Sequence, residues 1–276
     1  MHKHGIPLLF ASPVTSVSAQ SCRLQFDGRV PPSFGVAGFD TPNNFFSETN
    51  VLGAGLSFSQ LIQLPAISAS LFDIETIPIE VTISDASIFN GQTGFRRAEL
   101  LPASNSGIDN STTGIKTLHF SIGKDAQRPL NLSHEYQLVF FESNDFSTNQ
   151  FVLKTGSILG GDTAVDPDIL QLFGNVNQTP SKLLFSVPFL DGVFTTLLTT
   201  QVFFSAGGDP LEAVTQVISN DVSGQGQFHF GLLKKPTDAV GDITRNRFQE
   251  DGIDEGIIFG GIFQEDSSAG CVSLRP

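Results

Sequence analysis

The sequence predicts an all-β fold arranged as a two-sheet antiparallel sandwich. Helical periodicity is scarce, and only residues 209–217 show enough of it to predict a short helix. Elsewhere, short runs rich in Val, Ile, Phe and Thr alternate with clusters of Gly, Pro, Asn, Asp and Ser, which is typical of sandwiches and barrels. Several runs also alternate apolar and polar side chains, as strands do when one face lies on a core.

Eleven segments are predicted to be strands. In chain order they are 23–27, 77–83, 94–101, 115–122, 136–143, 149–155, 169–174, 182–187, 200–205, 226–233 and 256–264. The chain has no internal repeat, no low-complexity linker and no change of composition that would divide it. A single domain is therefore expected from residue 20 to residue 276.

Two of these strands carry carboxylates that could face a cleft. In 94–101, Arg97 and Glu99 are two residues apart and project to the same face. Such a pair is either a surface ion pair, which contributes little to stability, or part of the floor of a polar cleft. Strand 136–143 is apolar on both faces until Glu142, which predicts a central strand with a carboxylate at its end.

Two further strands separate into faces of different polarity. In 149–155 one face carries Gln150 and Lys154, and in 226–233 His229 lies opposite a row of apolar residues. A sandwich with one concave polar face would bring these side chains and the Arg–Glu pair of strand 94–101 into one groove.

The motifs of the commonest enzyme mechanisms are missing from the chain. It contains no nucleophile elbow, phosphate-binding loop, dinucleotide fingerprint or metalloprotease helix, and no Cys or His spacing for zinc, so no cofactor or metal is expected. Carboxylate chemistry remains, since glycoside hydrolysis needs one protonated acid and one ionised carboxyl group. Glu99 beside a guanidinium and Glu142 after an apolar run offer two different environments. His229 can bond a sugar hydroxyl or a carboxylate, or face solvent.

Composition limits the possible partners. The chain has 276 residues, of which 39% are hydrophobic and 16% charged, so it can bury a sizeable core. Its net charge of −13 argues against binding to nucleic acid or to an anionic membrane surface, and it fits a neutral substrate. Phe is abundant, whereas Trp is absent. The expected state is a monomer.

Features near both ends of the chain predict a secreted, extracellular protein. Residues 1–19 are similar to a secretory signal peptide with cleavage after Ala19, and no apolar run is long enough to cross a bilayer. Cys22 and Cys271 frame the mature chain and are expected to form a disulfide. Glycosylation sequons begin at Asn110, Asn131 and Asn177.

Five segments together resemble fungal glycoside hydrolase family 131, over roughly residues 22 to 274. They are LQFDGRV at 24–30, QTGFRRAELLP at 92–102, FESNDFSTNQFVLK at 141–154, QGQFHFGLLKKP at 225–236 and GIDEGIIFGGIF at 252–263. The resemblance implies a β-jelly roll and a secreted fungal β-glucanase. It also implies activity on β-1,3-, β-1,6- and β-1,4-linked glucans of plant or fungal cell walls.

The resemblance also implies roles for individual residues. Glu99 and Glu142 match the proposed catalytic carboxylates, and the groove positions around them match Arg97, Gln150, Lys154 and His229. It implies inversion at the anomeric carbon, which needs a wide separation of the two carboxyl groups. No cellulose-binding module is expected after the catalytic domain.

One segment departs from the family pattern. Between Gly192 and Gln201 the chain is shorter by roughly eight to ten residues, about the length of a strand with its turn. A lost strand would leave backbone groups unpaired unless the flanking segments close the gap. This departure and the missing Trp leave a non-catalytic carbohydrate-binding jelly roll as the alternative function. A polysaccharide lyase is the third reading and the weakest, because it needs a basic groove.

Overall fold

The computed structural model describes residues 22–47, 51–103, 113–177, 181–197, 201–238, 240–246 and 249–275. The predicted signal peptide and Asn110 lie outside these ranges. Within them the chain forms a 3-10 turn at Val36–Asp40, one helical turn, α1, at Phe58–Leu61, and fourteen strands. The strands are β1 Leu24–Asp27, β2 Ile62–Gln63, β3 Ile79–Ser84, β4 Arg96–Leu100, β5 Lys116–Lys124, β6 Glu135–Glu142, β7 Asn149–Gly156, β8 Ile169–Phe173, β9 Leu183–Pro188, β10 Thr195–Leu197, β11 Phe203–Ala206, β12 Glu212–Ala213, β13 Gln227–Lys234 and β14 Asp254–Asp266.

The strands form two antiparallel sheets. The eight-stranded sheet has the order β12-β11-β10-β5-β14-β3-β2, and β1 also pairs with β14. The six-stranded sheet has the order β4-β13-β6-β7-β8-β9. The main hydrophobic core contains inward side chains of both sheets, such as Phe120 and Phe259 from the first sheet and Val139, Leu153 and Phe230 from the second. This arrangement confirms the predicted all-β sandwich.

All eleven predicted strands are present with shifted ends, and three short strands, β2, β10 and β12, add to them. The helix predicted over 209–217 is wrong. Glu212 and Ala213 pair with β11 at the sheet edge, and Leu211 is buried beside Phe72 and Phe263. A helix that short has little stability of its own, so sheet pairing and burial decide the local structure.

The segment after Gly192, which the resemblance led us to expect to be short, supplies a strand. β10 pairs with Phe120–Ile122 of β5 on one side and with β11 on the other, so the eight-stranded sheet stays continuous there. Thr195–Leu197 therefore connect β5 to β11 in the sheet, while residues 198–200 lie outside the described ranges.

The predicted disulfide is present. Cys22 and Cys271 are bonded, with their Cα atoms 5.7 Å apart, and they join the two ends of the described chain. Of the described residues, no helix is both long and apolar enough to span a membrane.

Candidate active site

The face of the six-stranded sheet that points away from the main core, here called the outer face, carries the predicted site. β13 lies between β4 and β6, and its Gly231 and Gln227 are paired with Glu99 and Glu142 respectively. His229 lies between these two positions on β13. Because residues paired across strands share a face and residues i and i+2 share a face, both carboxylates and the imidazole lie on the outer face.

Glu99 is buried at 1% exposure, and both of its oxygens are occupied. Oε1 accepts a hydrogen bond from Arg97 Nε at 2.7 Å, and Oε2 accepts one from Arg97 Nη2 at 2.9 Å and contacts His229 Nδ1 at 2.8 Å. Burial on its own raises the pKa of Glu99, but Arg97 and His229 outweigh it and hold the pKa below its ordinary value. Glu99 is therefore ionised, and its side chain has no accessible surface to offer a substrate.

His229 links the two carboxylates. Its Nε2 lies 3.4 Å from Glu142 Oε2, which is close enough for an ion pair but long for a hydrogen bond. The ring stacks on Phe140 with centroids 4.3 Å apart. Burial lowers the pKa of His229, but Glu142 and Glu99 outweigh it, so the pKa lies above its ordinary value. We refer to Arg97, Glu99, His229 and Glu142 as the carboxylate site.

Glu142 is the most exposed member of the carboxylate site. Its side chain is 24% exposed, whereas those of Glu99 and His229 are 0% and 3% exposed. An imidazole that bridges carboxylates at 2.8 and 3.4 Å separates them by roughly 6 to 8 Å, within or close to the range of inverting glycosidases. The arrangement offers one accessible carboxylate coupled to a second, buried one.

Gln150 lies at an irregularity where the pairing between β6 and β7 shifts. Its side chain is 1% exposed, and its amide holds a neighbouring loop. Oε1 accepts a hydrogen bond from Gly224 N at 2.8 Å, and Nε2 donates to Gln225 O at 2.6 Å. Gly224 O in this loop accepts a hydrogen bond from Asn144 N, two residues after Glu142. Gln150 therefore helps to hold the segment that follows Glu142.

Lys154 shares the outer face but lies farther along it. It is paired with Gln137, and its Nζ contacts Glu135 Oε1 at 2.8 Å. Lys235 Nζ contacts the same oxygen at 2.7 Å. Burial raises the pKa of Glu135, but Lys235 and Lys154 outweigh it and lower the pKa to about 2. Lys154 is thus held by a buried carboxylate rather than by the carboxylate site.

Sequence reasoning missed two amide side chains beside the site. Asn149 is paired with Glu142, and its Nδ2 donates to Gln137 Oε1 at 3.2 Å. The register shift at Leu138 turns both Leu138 and Val139 into the core, so Gln137 lies on the same face as Phe140. Strict alternation along β6 would have put Gln137 and Phe140 on opposite faces, and nothing in the residue pattern marks this bulge.

The structure describes the asparagines of two of the three sequons. Asn131 and Asn177 are both exposed. Asn131 Nδ2 donates to both carboxylate oxygens of Glu250, at 3.0 and 2.8 Å. Their glycosylation stays a prediction. Over the described ranges, no group of three or more His, Cys, Asp and Glu side chains is arranged to hold a metal ion.

Comparisons with known proteins identify one family and several solved structures to which the chain is similar. The family model for the glycoside hydrolase 131 catalytic N-terminal domain matches residues 24–270. Among solved structures, a family 131 β-glucanase catalytic domain from Podospora anserina is similar with a TM-score of 0.69 at 20% identity, covering 91% of this chain and 98% of that one. The catalytic domain of a family 131 protein from Coprinopsis cinerea gives 0.65 at 21% identity, covering 92% and 98%. No curated protein matches the chain. The two structures establish the fold as a jelly-roll sandwich.

Proposed function

The chain belongs to glycoside hydrolase family 131, and we propose that it is a secreted fungal β-glucanase that cleaves β-1,3-, β-1,6- and β-1,4-linked glucans at the carboxylate site. The observation that carries this proposal is the 3.4 Å contact between an accessible Glu142 and a buried His229 on a polar sheet face. The β-glucanase from Podospora anserina, similar in fold, supports the choice of substrate. Family membership favours the hydrolase over a non-catalytic binding domain.

In the proposed mechanism Glu142 is the catalytic residue, since it alone of the two carboxylates can touch a sugar. Glu99 is a positioning residue that acts through His229: with Glu142 it raises the pKa of the imidazole, and it orients the ring. Arg97 keeps Glu99 ionised. In the proposed reaction Glu142 takes a proton from the attacking water as the water bonds to the anomeric carbon with inversion, the glycosidic bond breaks, and the leaving oxygen takes its proton from solvent. Glu99 and His229 position Glu142 without touching the sugar. Glu99 is buried and lies roughly 6 to 8 Å from Glu142, so it does not supply the second carboxyl group that a retaining enzyme brings to about 5 Å, and this supports inversion.

Substitution of each carboxylate tests this assignment. Purified protein is incubated with laminarin, pustulan and carboxymethyl cellulose, and released reducing ends are measured for wild type, Glu142→Gln, Glu99→Gln and Glu212→Gln. We expect Glu142→Gln to lower kcat about 1000-fold and Glu99→Gln about 100-fold, in line with losses of general acid–base catalysis. Glu212 is exposed on β12 of the other sheet, so Glu212→Gln is the matched control and keeps the wild-type rate.

Inversion at the anomeric carbon is tested by a separate measurement. Proton NMR of the first product formed should show the α-anomer, as inversion of a β-linkage requires. Wild-type rates in Glu142→Gln would remove that residue from the mechanism, and an initial β-anomer would exclude inversion. Retention of the protein by glucan without any released sugar would favour the non-catalytic alternative.

Export and assembly belong to the same proposal. The sequence of residues 1–19, the disulfide and the exposed sequon asparagines Asn131 and Asn177 support a secreted glycoprotein. It acts as a monomer on a polysaccharide, without a cofactor, nucleic acid or membrane as partner. Recovery of the processed chain from the culture medium of a fungal host, with a mass that falls on deglycosylation, is the expected result.

A further inference from the structure

A cavity of about 710 Å³ lies on the outer face, beyond the carboxylate site. Its floor includes Lys154 of β7 and Gln171 and Phe173 of β8, and residues 156–163 form part of its wall. We propose that this cavity binds the glucan chain at sites away from the bond being cleaved, so that the enzyme prefers substrates several sugars long. The inference rests on the proposed function and adds the length of chain that the site selects.

The strand register connects the cavity to the carboxylate site. Phe173 is paired with Val152, Val152 with Phe140, and Phe140 with His229, so one row of side chains crosses four neighbouring strands on the outer face. With strands about 4.8 Å apart, Phe173 lies roughly 14 Å from His229 along this row. β8, which carries the cavity floor, lies roughly 10 Å from the strand of Glu142, close to the length of a disaccharide.

Polar side chains, most of them amides, lie between Glu142 and the cavity. Asn149, paired with Glu142, donates to Gln137, which is paired with Lys154, which is paired with Gln171. These four residues form a polar path from Glu142 to the cavity. Amides donate and accept hydrogen bonds at the same time, as hydroxyl groups of a neutral sugar do.

The wall of the cavity is fixed to the sheet. Leu159 N donates to Glu135 Oε2 at 2.8 Å, and Ser157 Oγ donates to Leu132 O at 2.9 Å. Gly156 N donates to Pro167 O at 2.9 Å, which closes the base of the loop. A wall tied to a buried carboxylate is preorganised, so a ligand loses little free energy by ordering it.

The chemistry of the floor fits a neutral chain. Lys154 is held by Glu135, which it shares with Lys235, and its ammonium lies 5.3 Å from the centroid of the half-buried Phe173 ring. Gln171 adds an amide at 6% exposure. An aromatic ring beside amides is the combination expected for a sugar, which presents apolar C–H faces and hydroxyl edges.

The test compares oligosaccharide substrates of different length, and it compares variants of this cavity with a control variant of a second cavity. Phe173→Ala and Gln171→Ala are assayed on a series from trisaccharide to heptasaccharide of whichever glucan wild type hydrolyses. We expect kcat/KM on the heptasaccharide to fall about tenfold, with less than about a twofold change on the trisaccharide. Phe194→Ala is the matched control, because Phe194 is also half-buried and lines a cavity of about 520 Å³ formed with β5 residues of the other sheet.

A binding assay tests the role of the cavity independently of whether the protein hydrolyses glucan. Native electrophoresis in gels containing laminarin or carboxymethyl cellulose, run with Glu142→Gln in every variant, needs no turnover. Weaker retardation by Phe173→Ala or Gln171→Ala than by Phe194→Ala supports the cavity even if the wild-type protein releases no sugar. Equal losses on short and long substrates, or equal retardation of all three variants, would overturn it. Near-ultraviolet circular dichroism identifies any variant that has not folded, and the Gln171 variant then decides.

Discussion

At the scale of single residues, the site depends on a chain of alternating charges. Arg97, Glu99, His229 and Glu142 follow one another at contacts of 2.7, 2.8 and 3.4 Å. Buried charges are costly unless each is paired, so removing one member leaves the next without its partner. This chain explains why Glu99 matters to a reaction that it does not touch.

The raised pKa of His229 predicts how stability changes with pH. A histidine whose pKa is higher in the folded than in the unfolded state stabilises fully below the unfolded value, about 6.5, and this stabilisation is lost as pH rises through the folded value. We therefore expect the melting temperature of wild type to fall on the alkaline side of neutrality. In His229→Gln the melting temperature should fall less steeply as pH rises above neutrality, as measured by calorimetry between pH 5 and pH 9.

His119 gives the matched control, because it is equally buried and its shift has the opposite sign. Burial is the main reason that the pKa of His119 lies below its ordinary value. Its contribution is therefore lost as pH falls below about 6.5, and His119→Gln should keep the alkaline slope while changing the acidic one. Identical pH profiles for the two variants would contradict the assignment.

Part of the site could be predicted from residue order alone. The period of two in a strand puts Arg97 and Glu99 on one face, and the structure joins them by two hydrogen bonds. The surroundings of Gln150 and Lys154 could not be predicted. Their partners, the backbone of residues 224–225 and the carboxylate of Glu135, lie on other segments, and single-sequence periodicity carries no information about such contacts.

At the scale of elements, Gly231 permits the pairing that places Glu99. A Cβ at Gly231 would lie 2.0 Å from Ala98 O and 2.8 Å from the Cα of Glu99, closer than atoms can approach. We expect Gly231→Ala to push β4 away from β13, which moves Glu99 from His229 and lowers kcat at least tenfold, as loss of positioning does. Thermal unfolding and reducing-end assays measure both effects.

Gly123 of β5 provides the comparison for that substitution. There a Cβ would come no closer than 3.4 Å to Phe194, an ordinary contact. Gly123→Ala should leave both the melting temperature and the rate near wild type. A Gly231→Ala protein with normal stability and activity would show that β4 can shift without consequence, against the close fit described above.

Strands of four residues or more were predictable, and strands of two or three residues were not. β5, β6, β7 and β13 each span at least eight residues, which is enough to show apolar runs or alternation. β10 and β12 have three and two residues, so no period is visible, and their pairing is decided by neighbouring strands. The error at 209–217 has the same origin, because β12 lies within it.

At the scale of the whole molecule, the two sheets have different roles. The six-stranded sheet carries the carboxylate site and its cavity, while β1 and β14 of the eight-stranded sheet bring the chain ends together. The segment after Gly192 that was expected to be short contributes β10 to the eight-stranded sheet, not to the sheet that carries the site. The departure from the family pattern is thus compatible with an intact carboxylate site.

The disulfide should therefore support stability with little effect on catalysis. Cys22 and Cys271 are 249 residues apart, and a cross-link over so long a segment restricts the unfolded chain strongly. We expect the double variant Cys22→Ser with Cys271→Ser to lose about 2 to 5 kcal/mol of unfolding free energy in urea titrations. At a temperature where it remains folded, its kcat should match wild type, because the bond joins the ends of the chain beside β1 and β14 and touches no member of the carboxylate site. Wild type kept in reductant serves as the control and should unfold at the same urea concentration as the double variant. Unchanged stability in both would show that pairing of β1 with β14 holds the ends together without the bond, and a lower kcat would show that the two sheets are coupled.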